Sequence, residues 1–352
     1  MRPMSLWESG ESSGSVGLSA LFAGKTFTSG AAPDRSLRET AWLVCRGGWP
    51  RAVLQKGSRA LRRAFDYYDA VVNVDIQRAD GTIRDPERVK RLMRSYARLQ
   101  GTQSGLKAIK SDMSANDAGS LDEDTVASYV KALKKIFVVE DMPAWCPNLR
   151  NRSVIRTSDT RYFTDPSIAV AALGASPDDL MNDLRTFGYI FETMAARDLR
   201  CYAEALDGTV YHYHDGSGLE CDAVVHLRDG SYGLVEVKLG GETLIEVGAK
   251  TLKDLADKID TTRMKVPAFR MIVVATGDYA YRRKDGIIVA PSSILTGTGN
   301  REKSGIRRKR PNGSGLRGSD TSGKNRQDRP PFIKDSQRPN GLNSFEKPAP
   351  RR

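Results

Sequence analysis

Residues 234–239 carry the sequence Leu234-Val235-Glu236-Val237-Lys238-Leu239, and Asp222 precedes Glu236 with thirteen residues between them. Side chains alternate between the two faces of a strand, so Glu236 and Lys238 share one face, and Val235, Val237 and Leu239 point to the other. Asp and Glu are poor strand formers. Their place inside apolar strands is a local conflict that functional sites commonly show.

The register of a hairpin decides whether Asp222 meets Glu236. Residues 221–226 also have the composition of a strand, and Arg228-Asp229-Gly230 supplies the turn. A three-residue loop with Gly230 in the left-handed conformation sets the two acids opposite each other. A two-residue turn would put them on opposite faces. The first register brings two carboxylates and an ammonium together, where they could hold a hard divalent cation and place a lysine beside the water it activates.

This pattern resembles the PD-(D/E)xK nuclease signature. With its neighbours, residues 218–225 and 235–240, it is similar to the C-terminal nuclease-like domain of unknown function in the prokaryotic archaeal-type (AAA-like) ATPases. Further segments typical of that family occur upstream in the same order, so the resemblance extends over residues 1–295. These segments are Arg46-Gly47-Gly48-Trp49-Pro50, Ile136-Phe137-Val138-Val139-Glu140-Asp141 and Phe163-Thr164-Asp165-Pro166-Ser167.

Members of that family normally begin with a P-loop ATPase domain, so we expect a truncated member in which residues 1–50 are a remnant of the ATPase module. The Gly24-Lys25-Thr26 sequence has Ser19 where a phosphate-binding loop needs a glycine. We therefore expect a surface loop there, no ATP binding and no ATPase activity from this chain alone.

The resemblance implies a Mg²⁺-dependent nuclease whose catalytic residues are Asp222, Glu236 and Lys238. The two acids would hold the metal ion, and Lys238 would orient or deprotonate water. In such folds an acid of the first helix often assists, which makes Glu192 a third metal-ligand candidate; a helix-surface carboxylate is the alternative. The sequence departs from the family in having Cys221 where a proline usually precedes the first aspartate.

A second hypothesis is a non-catalytic scaffold or protein-interaction module of a lost or separate ATP-binding ATPase. Lys238 would then form only a salt bridge with a carboxylate on a half-exposed sheet. His212 and His214 share a strand face, but without a third ligand at a suitable spacing we expect surface histidines.

The predicted elements give a multi-domain chain that combines α+β and α/β regions. Residues 51–100 form a helical connector, with one apolar stripe from Leu54 through Phe65 to Ile76 and a helix after Asp85-Pro86. Residues 101–173 have the pattern of a winged helix, and residues 174–295 that of a nuclease-like α/β domain.

In the winged-helix region, a capping box begins at Ser120 and would open the recognition helix, while residues 154–164 would form the wing. Asp122, Glu123 and Asp124 stand at the start of that helix and would repel phosphates. A packing role or a contact with a protein partner is therefore favoured over DNA reading for this region.

Composition indicates a soluble cytoplasmic protein with no membrane partner. The longest apolar runs are too short to span a bilayer, and the first residues contain no apolar signal. The cysteines give neither a disulfide framework nor a zinc-ligand set; they are Cys45, Cys146, Cys201 and Cys221.

The net charge of +12 lies mostly near the C-terminus, because residues 301–352 hold 15 Lys and Arg against 5 Asp and Glu. Residues 296–352 have few apolar side chains, so we predict a disordered basic tail. Its Arg307-Arg308-Lys309-Arg310 run could contact nucleic acid by releasing counterions, but a solvated extension is favoured. The positive balance is thus no argument that the folded part binds DNA.

Overall fold

The computed structural model of the protein describes residues 2–27, 32–114, 122–147 and 158–298. Its first part contains short helices and one short strand, in order α1 Leu6–Ser9, β1 Val16–Gly17, α2 Leu18–Phe22, α3 Leu37–Arg46 and α4 Pro50–Val53. The side chains of Ser5 and Ser36 cap α1 and α3 by accepting from the amide three residues later.

A helical layer follows. It consists of α5 Gly57–Ala70, a π-helical turn Val71–Asp75, α6 Ile76–Arg78, α7 Pro86–Arg98, α8 Leu106–Ser114, α9 Glu123–Lys135 and α10 Pro166–Leu173. Asp85 caps α7, and Pro86 occupies its first turn, as the sequence predicted. Apolar side chains from this layer, including Val89, Leu92 and Tyr96, form a separate core cluster.

The predicted apolar stripe over 54–76 is wrong at two positions. Leu54 is 85% exposed because α4 ends before it and α5 begins only at Gly57. Phe65 is 36% exposed, while Ala60, Ala64 and Tyr68 form the buried face of α5. Ala60 and Ala64 are small and allow the neighbouring helices to approach closely, which a pattern of large apolar residues does not reveal.

The winged-helix prediction is only partly covered by the described residues. Asp122 caps α9, and Glu123 and Asp124 occupy its first turn, so the acidic start is confirmed. Two antiparallel bridges, Val139–Phe163 and Met142–Thr160, follow α9. Ser120 and the first half of the predicted wing lie outside the described residues, and the domain assignment stays a prediction.

The C-terminal part contains a mixed sheet between helices. Its elements are α11 Pro177–Asn182, α12 Leu184–Glu204, β2 Gly208–His214, β3 Glu220–Leu227, β4 Tyr232–Lys238, α13 Glu242–Lys258, β5 Phe269–Val274, β6 Tyr281–Arg282, β7 Ile288–Pro291 and β8 Leu295–Thr296. Six strands form the sheet in the order β2-β3-β4-β5-β7-β6, and β1 pairs in parallel with β8. With its helical layer, the chain is an α+β protein.

Both faces of this sheet are covered. Val235 and Val237 pack with Phe187 and Phe191 of α12, and core residues from α1 to α3 join the same cluster. Leu234 and Val224 belong to the cluster on the other face, which α13 covers. The sheet positions are therefore held from both sides. Among the described residues, no helix combines the length and the apolar character that crossing a bilayer requires.

Candidate metal centre

The hairpin between β3 and β4 has the register that brings the two acids together. Leu227 N donates to Ser231 O at 2.8 Å, and Gly230, with φ +81°, closes a three-residue loop in the left-handed region. His226 then pairs with Tyr232 and Ala223 with Val235. The structure thus confirms the three-residue loop, and in this register Asp222 faces Glu236.

Asp222 lies where β3 and β4 separate, which we call the strand fork. The last backbone pair before it is Ala223–Val235. Beyond this pair, the Asp222 carboxylate takes over the role of a backbone acceptor, since Val237 N donates to its Oδ2 at 2.7 Å. The side chain of Asp222 is therefore fixed at the gap between the two strands.

Lys238 bridges the two carboxylates of the hairpin. Its Nζ lies 3.0 Å from Asp222 Oδ2 and 2.6 Å from Glu236 Oε2. The Glu236 side chain is only 4% exposed, and those of Asp222 and Lys238 are 20% exposed. Gly248 of α13 lies against Glu236, where an added Cβ would come within 3.4 Å of the Glu236 Cβ. The small residue on α13 thus leaves the space that Glu236 occupies.

Glu192 reaches the strand fork from α12. The Tyr162 hydroxyl donates to its Oε1, and the charge of Asp222 acts on it. Gly101, with φ +69°, packs beside it, since an added Cβ would lie 3.4 Å from Glu192 Oε2. Glu192 is half-buried, so the alternative of a fully exposed helix-surface carboxylate does not describe it.

The strand fork holds three carboxylates and one ammonium in a weakly hydrated place. Burial, followed by the negative charge of Asp222, raises the pKa of Glu236 to about 8. The same two causes raise the pKa of Glu192 well above its ordinary value. The charges of Asp222 and Glu236 outweigh the opposing effect of burial and raise the pKa of Lys238. The excess of negative charge at the strand fork therefore favours the binding of protons or of metal cations.

No three His, Cys, Asp or Glu side chains within the described ranges are already arranged around a point that could hold a metal ion. At the strand fork, the Lys238 ammonium lies between Asp222 and Glu236 and satisfies their inner oxygens. The oxygen donors fit a hard divalent cation by type. To share one ion, however, the two carboxylates would have to release Lys238.

Tyr162 is the residue of this site that the sequence did not indicate. It is 1% exposed, and the Arg200 guanidinium lies over its ring at 5.6 Å from the centroid. Burial and the charge of Glu192 raise the pKa of its hydroxyl well above the ordinary value, so it remains a donor. No motif or spacing singles out Tyr162, because its contact with Glu192 depends on how α12 packs.

The prediction that His212 and His214 are surface residues is wrong. They are 2% and 7% exposed. His212 Nε2 contacts Ser158 O at 3.0 Å, and its Nδ1 lies 3.4 Å from Gln103 Nε2, while His214 Nδ1 contacts Gln103 Oε1. Burial lowers the pKa of His212 to about 4. The loop after α7 covers this end of β2, and sequence spacing alone does not show that cover.

Two of the upstream family segments meet in a buried junction. Gly48 N donates to Asp165 Oδ2 at 2.9 Å, and Trp49 Nε1 donates to Ser167 Oγ at 3.0 Å. Arg197 of α12 donates to the same Asp165 Oδ2 at 3.0 Å. Asp165 is fully buried, so it depends on these donors. The junction fastens the N-terminal part to α12, and its role is structural.

A groove of about 740 Å³ opens beside this junction. It is lined by Trp49, Ile136, Phe137, Glu140 and Thr164, and thus by residues from all three upstream segments. Arg2 also lines it and pairs with Glu140 and with Glu204.

Gly24, Lys25 and Thr26 form an exposed turn at the end of α2. A phosphate-binding loop instead connects a strand to a helix. The position after a helix agrees with the surface loop that the sequence predicted.

Comparison with known families gives two matches. A family described as a domain of unknown function (DUF8612) matches residues 38–179, and another described as a domain of unknown function (DUF4143) matches residues 187–295. Domains of the second family are found in AAA-like ATPase-associated proteins. No curated protein and no solved structure matches the chain. The matches agree with the ATPase-related part of the resemblance, and the nuclease signature stays a prediction.

Proposed function

We propose that the strand fork is the divalent-cation site of a metal-dependent nuclease. The observation that carries this proposal is that Asp222 and Glu236 share the single ammonium of Lys238, while Glu192 lies near enough for the charge of Asp222 to raise its pKa. One ammonium cannot neutralise three carboxylates that are buried or partly buried, and the excess negative charge is costly unless protons or a cation neutralise it. A divalent cation would remove that cost, and Mg²⁺ is the candidate because all available donors are hard oxygens.

Asp222 and Glu236 would hold the cation, with Glu192 as the third ligand. When bound, the cation supplies Lewis-acid stabilisation of the negative charge that develops during phosphodiester hydrolysis. Val237 N holds Asp222 in place, and Tyr162 holds Glu192, so two of the three ligands are oriented by fixed donors. Such outer contacts orient ligands in many metal sites.

Lys238 has a charge-stabilising role in this proposal. Because the neighbouring carboxylates raise its pKa, it keeps its proton at neutral pH. It is therefore better suited to orient water and to stabilise a phosphate oxygen than to act as a general base. Of the two roles that the sequence left open, orienting water is therefore favoured over deprotonating it.

Calorimetric titration with Mn²⁺ or Mg²⁺ tests the proposal. The wild type should bind one ion. Asp222→Asn should lose binding, although asparagine has the same shape and its amide oxygen can still accept from Val237 N. Asp229→Asn, at a 65% exposed side chain in the hairpin turn, removes the same charge away from the strand fork and should bind like the wild type. Equal binding by the wild type and Asp222→Asn would refute the site.

A second candidate function, a protein-interaction module, is favoured by one residue of the groove. Phe137 has φ +58° and is 73% exposed. A left-handed backbone is unfavourable for phenylalanine, and exposing its ring forgoes burial energy. Strained residues persist where structure or function requires them, and the ring stands at the rim of the groove. We infer that a protein partner covers Phe137, and the partner proposed is an AAA-like ATPase.

Phe137→Asn tests this second function, because asparagine tolerates the left-handed conformation. The variant should be as stable as the wild type or more so, and it should lose a co-purifying P-loop ATPase that the wild type retains. Recovery of the same ATPase with both proteins would argue against the groove as the contact surface.

A further inference from the structure

Two exposed tyrosines lie at the outer edge of the sheet. Tyr279 and Tyr281 are 54% and 38% exposed, and their ring centroids are 5.9 Å apart. With Phe27 and Arg282 they line a hollow of about 360 Å³. Exposed aromatic side chains that lie next to each other indicate an interaction site more strongly than single scattered ones, because a contiguous apolar patch in water is unfavourable.

Arg282 lines this hollow, and Lys25 and Lys284 lie close to its lining residues in the sequence, while Glu242 and Glu246 also act on Tyr281. Arg282, Lys284 and Lys25 are exposed, and within the described ranges none of them has a carboxylate at salt-bridge distance. Among the described residues, Arg282 donates to the carbonyl of Gly286, at 3.0 Å. The neighbouring Arg283 differs, since it is paired with Glu246 and Asp285. The hollow thus combines aromatic faces with available positive charge.

The sheet places this hollow in line with the strand fork. Glu236 pairs with Ile272, Ile272 with Val289, and Val289 with Tyr281. Tyr281 therefore stands in the same row as Glu236, three strand spacings away, which is about 14 Å at about 4.8 Å per spacing. A stacked nucleic-acid strand rises about 3.4 Å per nucleotide, so about four nucleotides span this distance. Ile272 and Val289 between the two sites are buried beneath α13, so the path around the helix is longer.

We propose that Tyr279 and Tyr281 form a stacking platform for the bases of single-stranded nucleic acid, with Arg282 and Lys284 meeting its phosphates. Aromatic faces combined with cations are the general means of binding single strands without reading their sequence. The platform names the substrate class of the proposed nuclease, on which this part of the inference rests. A strand bound there would have to pass around α13 to meet the strand fork, so it would need more than about four nucleotides.

Fluorescence anisotropy in EDTA tests binding without a metal ion and without cleavage. The probes are a short thymidine oligomer, an abasic oligomer of the same length and the corresponding thymidine–adenosine duplex. The full chain is used, so the basic segment after residue 300 contributes equally to every variant and similarly to both single strands. The wild type should prefer the thymidine strand to the abasic strand and to the duplex.

Tyr281→Ala should weaken binding of the thymidine strand by about 5- to 150-fold, the effect of losing one stacked base, and should leave the abasic strand unaffected. Tyr281→Phe keeps the ring and should bind like the wild type, and Tyr279→Ala serves as the second test of the platform. Equal affinity of the wild type for thymidine and abasic strands would overturn the platform, as would a lack of any oligomer binding, which would point to a protein partner there.

The two proposals can fail separately. If the platform binds strands but the wild type with Mn²⁺ leaves them intact, the nuclease function is wrong and the platform stands. If the wild type cleaves strands and Tyr281→Ala does so with the same KM, the platform is wrong and the nuclease stands.

Discussion

Replacing Glu236 by glutamine should change how the stability of the protein depends on pH. The pKa of this carboxyl is about 8 in the folded protein, against an ordinary value of 4.5, because it is buried and faces Asp222. A carboxyl whose pKa is raised by folding contributes its stability below the unfolded value and loses it as the pH rises through the folded value. The wild type should therefore lose stability between pH 4.5 and about 8 at this site, whereas glutamine does not titrate.

The size of the effect follows from the same interval. At about 1.4 kcal/mol for each pKa unit, Glu236 accounts for at most about 5 kcal/mol of unfolding free energy over this range. Urea unfolding, followed by tryptophan fluorescence at several pH values, measures this effect. The unfolding free energy of Glu236→Gln should increase relative to that of the wild type as the pH rises. Glu123→Gln, at an exposed position of α9, should have an unfolding free energy that depends on pH in the same way as that of the wild type. If the unfolding free energies of Glu236→Gln and the wild type depend on pH in the same way, the raised pKa of the Glu236 carboxyl is refuted.

Metal ions extend this test. A cation that binds only the folded protein stabilises it by about 2.7 kcal/mol at a hundredfold excess over its Kd. Because it competes with the proton for Glu236, Mn²⁺ should stabilise the wild type more at pH 8 than at pH 5. Glu236→Gln should respond weakly at both values. A wild-type response that does not depend on pH would place the ion elsewhere.

Further outcomes can be checked with simple variants. Lys238→Ala should retain the bound ion but lose hydrolysis of a labelled oligonucleotide, whereas Asp222→Ala should lose both; loss of the ion in Lys238→Ala would contradict the proposed roles. Glu192→Gln should weaken cation affinity, since it removes one of the carboxylates near Asp222; unchanged affinity would exclude Glu192 as a ligand. Ending the chain after Thr298 should leave the melting temperature unchanged, because residues 301–352 offer little apolar surface to bury, and a clear fall would contradict this. Titration with ATP should give no binding at micromolar concentrations, as Lys25 lies in an exposed turn rather than in a phosphate-binding loop.

Local chemistry explains which parts of the site could be predicted. The hairpin register depends on Gly230 and on the alternation of apolar residues in two adjacent strands, so fewer than twenty residues determine it. The cap at Asp85 and the acidic start of α9 are likewise set by neighbouring residues. Such features need no knowledge of the tertiary fold.

The features that were missed depend on packing between distant segments. Tyr162 meets Glu192 only because α12 lies beneath the segment that follows α9. His212 and His214 are covered by the loop that carries Gln103, more than 100 residues earlier in the chain. Their alternating positions on β2 show that they share a face, but not that another part of the chain buries it.

Glu192 is the residue that best distinguishes the two interpretations of the strand fork, a cation site and a structural salt bridge. A structural salt bridge needs one carboxylate for one ammonium, and Asp222 and Glu236 already exceed that ratio around Lys238. A third carboxylate, which α12 brings near Asp222, makes the folded state less stable unless a proton or a cation neutralises it. Tyr162 is then difficult to explain in a scaffold, because its buried hydroxyl holds Glu192 in the arrangement that costs stability. In a cation site the same contact orients a ligand, so the unfavourable arrangement of the free protein becomes the favourable one when the ion binds.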